Sequence, residues 1–185
     1  MKFKEQKLAI KSGQNVTIRH AKEEDAQALV NLKRNYIKGT TTLPIYIDEY
    51  PDNAVKELNL IQEYYENSNN LLLVAEFNNQ LIGNIDLTGG KRRKTQHTAM
   101  VGMGISSQWR NHGLGQILLS AAIDWTLDHS CLFILWLEVY ATNELGINLY
   151  KKMGFELSGR INAFFKNDHD YIDKIQMHQY LEKKS

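Results

Sequence analysis

The sequence predicts a mixed α/β sheet with helices on both faces. Short apolar runs at 71–77, 81–87, 96–105 and 131–140 alternate with helical stretches at 22–36, 54–66, 114–129 and 144–153, the pattern of one sheet wrapped by helices. The run 131–140, CLFILWLEVY, is apolar on both strand faces, as expected of a central strand covered above and below. Asn78-Asn79 between two apolar runs marks a two-residue hairpin turn.

Composition agrees with a single folded unit. The 185 residues carry 22 Lys and Arg against 21 Asp and Glu, a formal net charge of +1, which gives no field favouring nucleic acid. With 43% hydrophobic residues the chain can bury a core. The organisation expected is an N-terminal arm over 1–14 and one domain over 15–185. The single cysteine, Cys131, excludes an internal disulfide framework and a cysteine-based zinc cage, and fits a reducing compartment. No stretch is long and apolar enough to span a bilayer, and the start MKFKEQK lacks the apolar run of a secretory signal. A cytoplasmic protein without a membrane partner, monomer or homodimer, is expected.

Taken in order, 16–20 reads as a strand, and Lys22-Glu23-Glu24-Asp25 opens a helix with acids in its first turn. Residues 38–53 are turn-rich. Val55, Leu58, Ile61 and Tyr65 at helical spacing define the second helix, stopped by Asn67-Ser68-Asn69-Asn70. After the hairpin, the basic run Lys91-Arg92-Arg93-Lys94 is either a phosphate-reaching loop or, more in keeping with a hairpin tip, a solvated face. Leu114, Leu118, Ala121, Ala122 and Trp125 make one apolar stripe. Gly154 ends the 144–153 helix, and two strands, 155–166 and 171–180, turn at Asn167-Asp168.

Two segments carry chemistry. Between a strand and an amphipathic helix stands Arg110-Asn111-His112-Gly113-Leu114-Gly115-Gln116. Its glycines leave room for close approach, and the first helix amides point outward with the positive end of the dipole behind them, which suits a diphosphate. The turn is neither the dinucleotide fingerprint nor the nucleotide P-loop. Further on, Asn143 can cap a helix, with Gly146 and Tyr150 three and seven positions along the same face. Taken singly, these residues also suit a plain turn, a plain cap and a packed aromatic.

Together the segments resemble the Gcn5-related N-acetyltransferase (GNAT) superfamily over roughly residues 15–182. The family's acetyl-CoA signature, Arg/Gln-x-x-Gly-x-Gly/Ala after a strand, stands as Arg110, Gly113 and Gly115; its next motif stands as Asn143, Leu149-Tyr150 and Gly154-Phe155. The resemblance implies a mostly antiparallel sheet of six to seven strands. The fourth and fifth of these, 96–105 and 132–140, splay to admit acetyl-CoA. Pantetheine would pair with Met103, Gly104 and Ile105, and the diphosphate would sit on 110–116. Gly102 and Gly104 share a strand face open to close approach. The implied activity is direct acetyl transfer to a primary amine of a small molecule or a protein. Tyr150 would protonate the departing thiolate and Asn143 would position the pantetheine arm. A non-catalytic acyl-CoA sensor is the alternative.

The general base stays open. Glu138 is the only charge in its apolar strand, and a buried carboxylate either finds a partner or has its pKa raised. Some N-terminal acetylases of the family carry Leu-Glu-Val here with the glutamate as base; the 12 residues from Glu138 to Tyr150 match their spacing. Otherwise Glu138 is structural. His97 is the alternative, by its ordinary pKa near 6.5 and its place at the start of the fourth strand. Relatives often carry glutamate near Met100, and its absence here adds water-mediated deprotonation as a route. His20, His129, His169 and His178 show no metal-ligand spacing, so no metal is expected. The acceptor would be chosen by the first two helices and their loop, which bring together Tyr36, Tyr46, Asp48, Glu49, Tyr50 and Asp52. Aromatics and carboxylates favour a cationic amine if the loop faces the site; a solvated acidic loop is the plainer reading. Phe164, Phe165, Asp168 and Asp170 in the final hairpin would close the site or form a subunit contact.

Overall fold

A computed structural model describes residues 3–50, 52–129, 131–168 and 170–182, His129 by its backbone only. The chain opens with β1 (Gln6–Ala9) and β2 (Asn15–His20), joined by a turn in which Gly13 takes a φ of +80°. Sequence reading assigned no element to 6–9. A four-residue edge strand with Lys7 and Ala9 outward carries too little apolar pattern to be recognised.

A 3-10 turn (Glu23–Asp25) leads into α1 (Ala26–Lys38). Asp25 closes this corner: its carboxylate accepts the Lys22 N–H at 2.7 Å and takes both arms of the Arg19 guanidinium at 2.6 and 2.9 Å. Arg19 also donates to Glu76. The Asp25 carboxyl, although burial pushes it up, is held below its ordinary range by Arg19 and the Lys22 amide. α2 (Ala54–Glu66) begins on Asn53, whose side chain accepts the Val55 N–H at 2.9 Å. β3 (Leu71–Phe77) and β4 (Gln80–Gly89) form the expected hairpin. Asn78 and Asn79 have φ of 49° and 61°, the doubly left-handed turn that matches strand twist.

β5 (Thr98–Ile105), α3 (Leu114–His129), β6 (Ile134–Tyr140), α4 (Glu144–Lys152), β7 (Glu156–Lys166) and β8 (Tyr171–Tyr180) follow. The eight strands form one sheet in the order β1-β2-β3-β4-β5-β6-β8-β7. All neighbours are antiparallel except β5 and β6. The helices divide between its faces. On one, Leu118, Leu119, Ala122 and Trp125 of α3 pack on Ile85, Leu87, Ala99, Leu135 and Leu137. On the other, Leu29, Leu32, Tyr36 and Ile61 of α1 and α2 pack on Leu72 and Val74. A leucine buried this fully contributes about 1.5–3 kcal/mol over its exposed state.

The strand read as covered on both faces is covered on one. Leu135, Leu137 and Val139 are buried against the α3 side, whereas Glu138 is exposed and Trp136 only partly buried. Tyr140, on the face of Trp136 and Glu138, is buried again at the end of the strand beside Phe165 and Leu43, while α1 and α2 make their main sheet contacts on β3, β4 and β5.

Candidate active site

β5 and β6 pair over three positions alone, Thr98 with Ile134, Ala99 with Leu135 and Met100 with Trp136. Beyond that the strands diverge, although β5 stays paired to β4 as far as Ile105 and β6 to β8 as far as Tyr140. The facing edges of 101–105 and 137–140 therefore border a wedge in the middle of the sheet, bearing peptide groups that β-pairing leaves unsatisfied.

The phosphate-type turn lies at the open end of this wedge. Asn111 and Gly113 both take left-handed backbone, with φ of 63° and 84°, so that successive amides turn towards one concavity. Gly115 lets α4 pack closely: a Cβ there would stand 2.9 Å from the end of the Leu149 side chain. Arg110 is used by the backbone, its Nε donating to the Ile105 carbonyl at 3.1 Å and Nη1 to Gly39 at 3.3 Å. A second cation, Lys11, which sequence reading missed, also lies against the turn. The Lys11 N–H donates to the His112 carbonyl at 2.9 Å, and its side chain passes 3.3 Å from where a Gly113 Cβ would stand. Lys11 sits in the β1–β2 turn, remote in sequence from the signature, so no local spacing announces it.

α4 brings up the second motif. Asn143 caps it, Oδ1 accepting the Gly146 N–H at 3.0 Å, and its folded side chain fills the space that a Cβ on Gly146 would need, 2.8 Å from Nδ2. Tyr150 packs beside Phe155 with ring centroids 5.9 Å apart. Burial, and then the charge of Asp86, push its phenol up to about 12, so it stays protonated at neutral pH and is a proton donor. Among the described residues its hydroxyl makes no hydrogen bond.

The opposite face of the cleft is not open glycine surface as expected. A Cβ on Gly104 would stand 2.2 Å from ring carbons of Tyr36, and one on Gly102 would stand 2.7 Å from both carboxylate oxygens of Asp86. The missing side chains make room for Tyr36 of α1 and for Asp86, which lies directly across the ladder from Gly102. The Tyr64 hydroxyl donates to Asp86 at 3.3 Å and also meets Thr88. Next to them Lys33 holds Glu57 at 2.9 and 3.1 Å, and Tyr50 donates to the same carboxylate. Burial pushes the Asp86 carboxyl up; Lys33 and the Tyr64 hydroxyl oppose that, and Glu57 adds to it.

The other predicted residues lie apart from this cluster. Glu138 is not a buried carboxylate: its side chain is 33% exposed and accepts from Lys174 at 2.9 Å. The Lys174 side chain is 9% exposed, and its ammonium also sits 3.7 Å above the Phe164 ring. His97 precedes β5 rather than opening it, is exposed, and lies at the closed end of the strand pair, where its carbonyl accepts the Phe133 and Ile134 amides. The basic run 91–94 is exposed at that same end, away from the phosphate turn, with Lys91 on Glu63. Tyr46, Asp48 and Glu49 are exposed on the α1–α2 loop; Tyr46 donates to Asp168 at 3.4 Å and its amide to Glu49 at 2.7 Å. Tyr140 stacks on Phe165 at 4.0 Å and reaches the Leu43 carbonyl, so this loop and the β7–β8 hairpin meet over the end of β6. His169 lies outside the described residues. Among those described, no group of three or more His, Cys, Asp or Glu could hold a metal. No helix among them is long and apolar enough to cross a membrane.

A sheet parted between two strands, with an amide-lined turn at its open end and a phenol on the helix beyond, is the architecture of an acetyl-CoA-dependent acyltransferase. The model of the acetyltransferase (GNAT) family matches residues 40–155, and the chain belongs to that family. Over 164 residues it is 23% identical to the L-amino acid N-acetyltransferase AaaT of Escherichia coli K12, covering 88% of this chain and 96% of that protein. Over 175 residues it is 26% identical to the spermidine N(1)-acetyltransferase of the same organism, covering 92% and 90%. Among solved structures, a GNAT acetyltransferase from Streptococcus pneumoniae superimposes with a TM-score of 0.86 at 24% identity, over 90% of this chain and 99% of that one. The yncA protein of Salmonella typhimurium, solved with its cofactor acetyl-CoA, gives 0.82 at 19% identity over 93% and 97%. The protein is an N-acetyltransferase with acetyl-CoA as co-substrate and a primary amine as acceptor.

Proposed function

We propose that the acceptor is a small amine carrying a second positive charge. The observation behind this is that three cations on the acceptor side already face carboxylates. Lys33 is on Glu57, Lys174 on Glu138, and Arg34 stands 3.9 Å from Asp52. An acceptor bringing a carboxylate of its own would compete with these carboxylates, whereas Asp48, Glu49 and the aromatic ring of Tyr46 attract a cation. The similarity to a spermidine acetyltransferase supports this reading. Similarity to acetyltransferases rather than binding modules supports turnover over an acyl-CoA sensor.

In this reading the amides of Asn111, His112, Gly113, Leu114, Gly115 and Gln116 and the Lys11 ammonium hold the diphosphate. The freed edge of β5 at Met103, Gly104 and Ile105 pairs with the pantetheine arm. Asn143, its oxygen spent on the cap, keeps Nδ2 for the same arm near Gly146. Tyr150 gives its proton to the leaving sulfur. Glu138 with Lys174 forms part of the acceptor entrance, and His97 takes no part. A cytoplasmic monomer or homodimer is the proposed setting, supported by the single thiol of Cys131.

The experiment is thiol release from acetyl-CoA with spermidine, a set of L-amino acids and a tripeptide with a free N-terminus. Spermidine is expected to give the highest kcat/KM. A preference for L-amino acids would overturn the second-charge reading and send attention to Arg34.

A further inference from the structure

We infer that Asp86 is the general base that takes the acceptor ammonium's proton. The inference rests on acetyl transfer in the β5–β6 cleft. Asp86 is placed by register: it lies across the β4–β5 ladder from Gly102, the second residue beyond the last rung shared with β6. Because Gly102 has no side chain, both carboxylate oxygens occupy the position its Cβ would fill, 2.7 Å away. The carboxylate thus stands over the strand that borders the wedge just where the strands part. It is on the face of α1 and α2, from which an acceptor comes.

The surroundings suit a proton acceptor rather than a structural ion pair. Among the described residues no cation forms an ion pair with Asp86, and its hydrogen-bond partner is Tyr64, at 3.3 Å. The nearest ammonium, Lys33, is occupied by Glu57. The groups that face it are Lys33 and Tyr36 from α1, Glu57 and Tyr64 from α2, Thr88 from its own strand, and Tyr150 from α4. Tyr36 and Tyr64 are both pushed up by burial and then by the Asp86 charge. They stay neutral, so Asp86 is the anion towards which an ammonium is drawn. Its own upward shift moves it towards a base useful near neutral pH.

The protons balance. R–NH3+ gives one proton to Asp86, and the freed nitrogen attacks the thioester carbon. The C–N bond forms, the C–S bond breaks and the sulfur takes the Tyr150 proton. The acylated nitrogen then loses its second proton to the Tyr150 phenolate, and Asp86 releases its proton to water. Asp86 performs the deprotonation for which Glu138 and His97 were candidates, and does so from the strand next to Met100.

The test compares two nucleophiles. Hydroxylamine is already neutral at neutral pH, whereas spermidine, or whichever L-amino acid or tripeptide is the better acceptor, is protonated. D86N should lower kcat/KM for the protonated acceptor by about 100-fold or more, leave hydroxylamine within a few-fold, and bind acetyl-CoA as wild type does by calorimetry. D86E should recover part of the loss. Equal loss with both nucleophiles, or no loss with the protonated one, would overturn the assignment. If D86N does not fold, the wild-type profile decides. The acid limb of kcat/KM for the protonated acceptor should lie above the ordinary carboxylate range, and a limb within that range overturns the proposal. Wild type that binds acetyl-CoA but releases thiol with neither nucleophile overturns the acetyl-transfer reading, and Asp86 with it.

Discussion

The two sides of the cleft are built by opposite means. The proposed cofactor side is nearly all backbone: a turn with left-handed Asn111 and Gly113 leads into the first amides of α3, and one short helix adds a cap and a phenol. The acceptor side is nearly all side chain, with Lys33 and Tyr36 from α1, Glu57 and Tyr64 from α2, and Asp86 and Thr88 from β4 interlocked over a strand made bare by Gly102 and Gly104. A ligand shared by all relatives can be held by groups present in every residue. A ligand peculiar to one enzyme must be held by what distinguishes residues, and that part of the site is free to change without disturbing the turn.

Four perturbations separate the two sides. Tyr150→Phe should have the largest effect, a fall in kcat of about 100-fold or more with acetyl-CoA affinity unchanged in calorimetry; an unchanged kcat would take the acid role from it. Gly104→Ala forces a methyl into the Tyr36 ring and should cost about 1–3 kcal/mol of stability, read as a lower Tm. Its acetyl-CoA affinity should stay near wild type, and a matching loss there would mean the two sides are not independent. Lys11→Ala should weaken acetyl-CoA about 10-fold, the scale of one charge-assisted hydrogen bond, and leave S-acetylpantetheine, which lacks the diphosphate, unaffected. Equal weakening of both would place Lys11 outside the phosphate site. Glu138→Gln should have the smallest effect, about 1 kcal/mol or less of stability, because the pair is partly solvated. Its pH–rate profile should match wild type; loss of the acid limb would restore Glu138 as base.

What could be read in advance follows the same division. Helices over 54–66 and 114–129 were read to the residue, because each is long, periodic and bounded by its own punctuation. The Asn78-Asn79 hairpin was read because its turn needs left-handed residues whichever core it joins. The turn at 110–116 and the cap of Asn143 on Gly146 were legible as local structure because each is built from neighbours a turn away. Asp86 was not visible: in a strand that alternates, an aspartate between Ile85 and Leu87 reads as the solvent side. Only the packing of α1 and α2 over that face, bringing Lys33, Tyr36 and Tyr64, covers it. The burial expected of Glu138 failed in reverse, since an apolar strand does not say which of its faces is covered along its length.

The three-rung ladder between β5 and β6 gives the sheet four edges instead of two. Two lie on the outside at β1 and β7, and two lie inside, along 101–105 and 137–140. An exposed edge invites foreign strands, yet the inner pair is protected by its own angle. A strand lying flat on one lip cannot also reach the other, and the notch narrows to nothing within three rungs. A slender chain with polar groups along its length can bridge both lips, so the divergence proposed to admit the co-substrate would also disfavour pairing with other polypeptides.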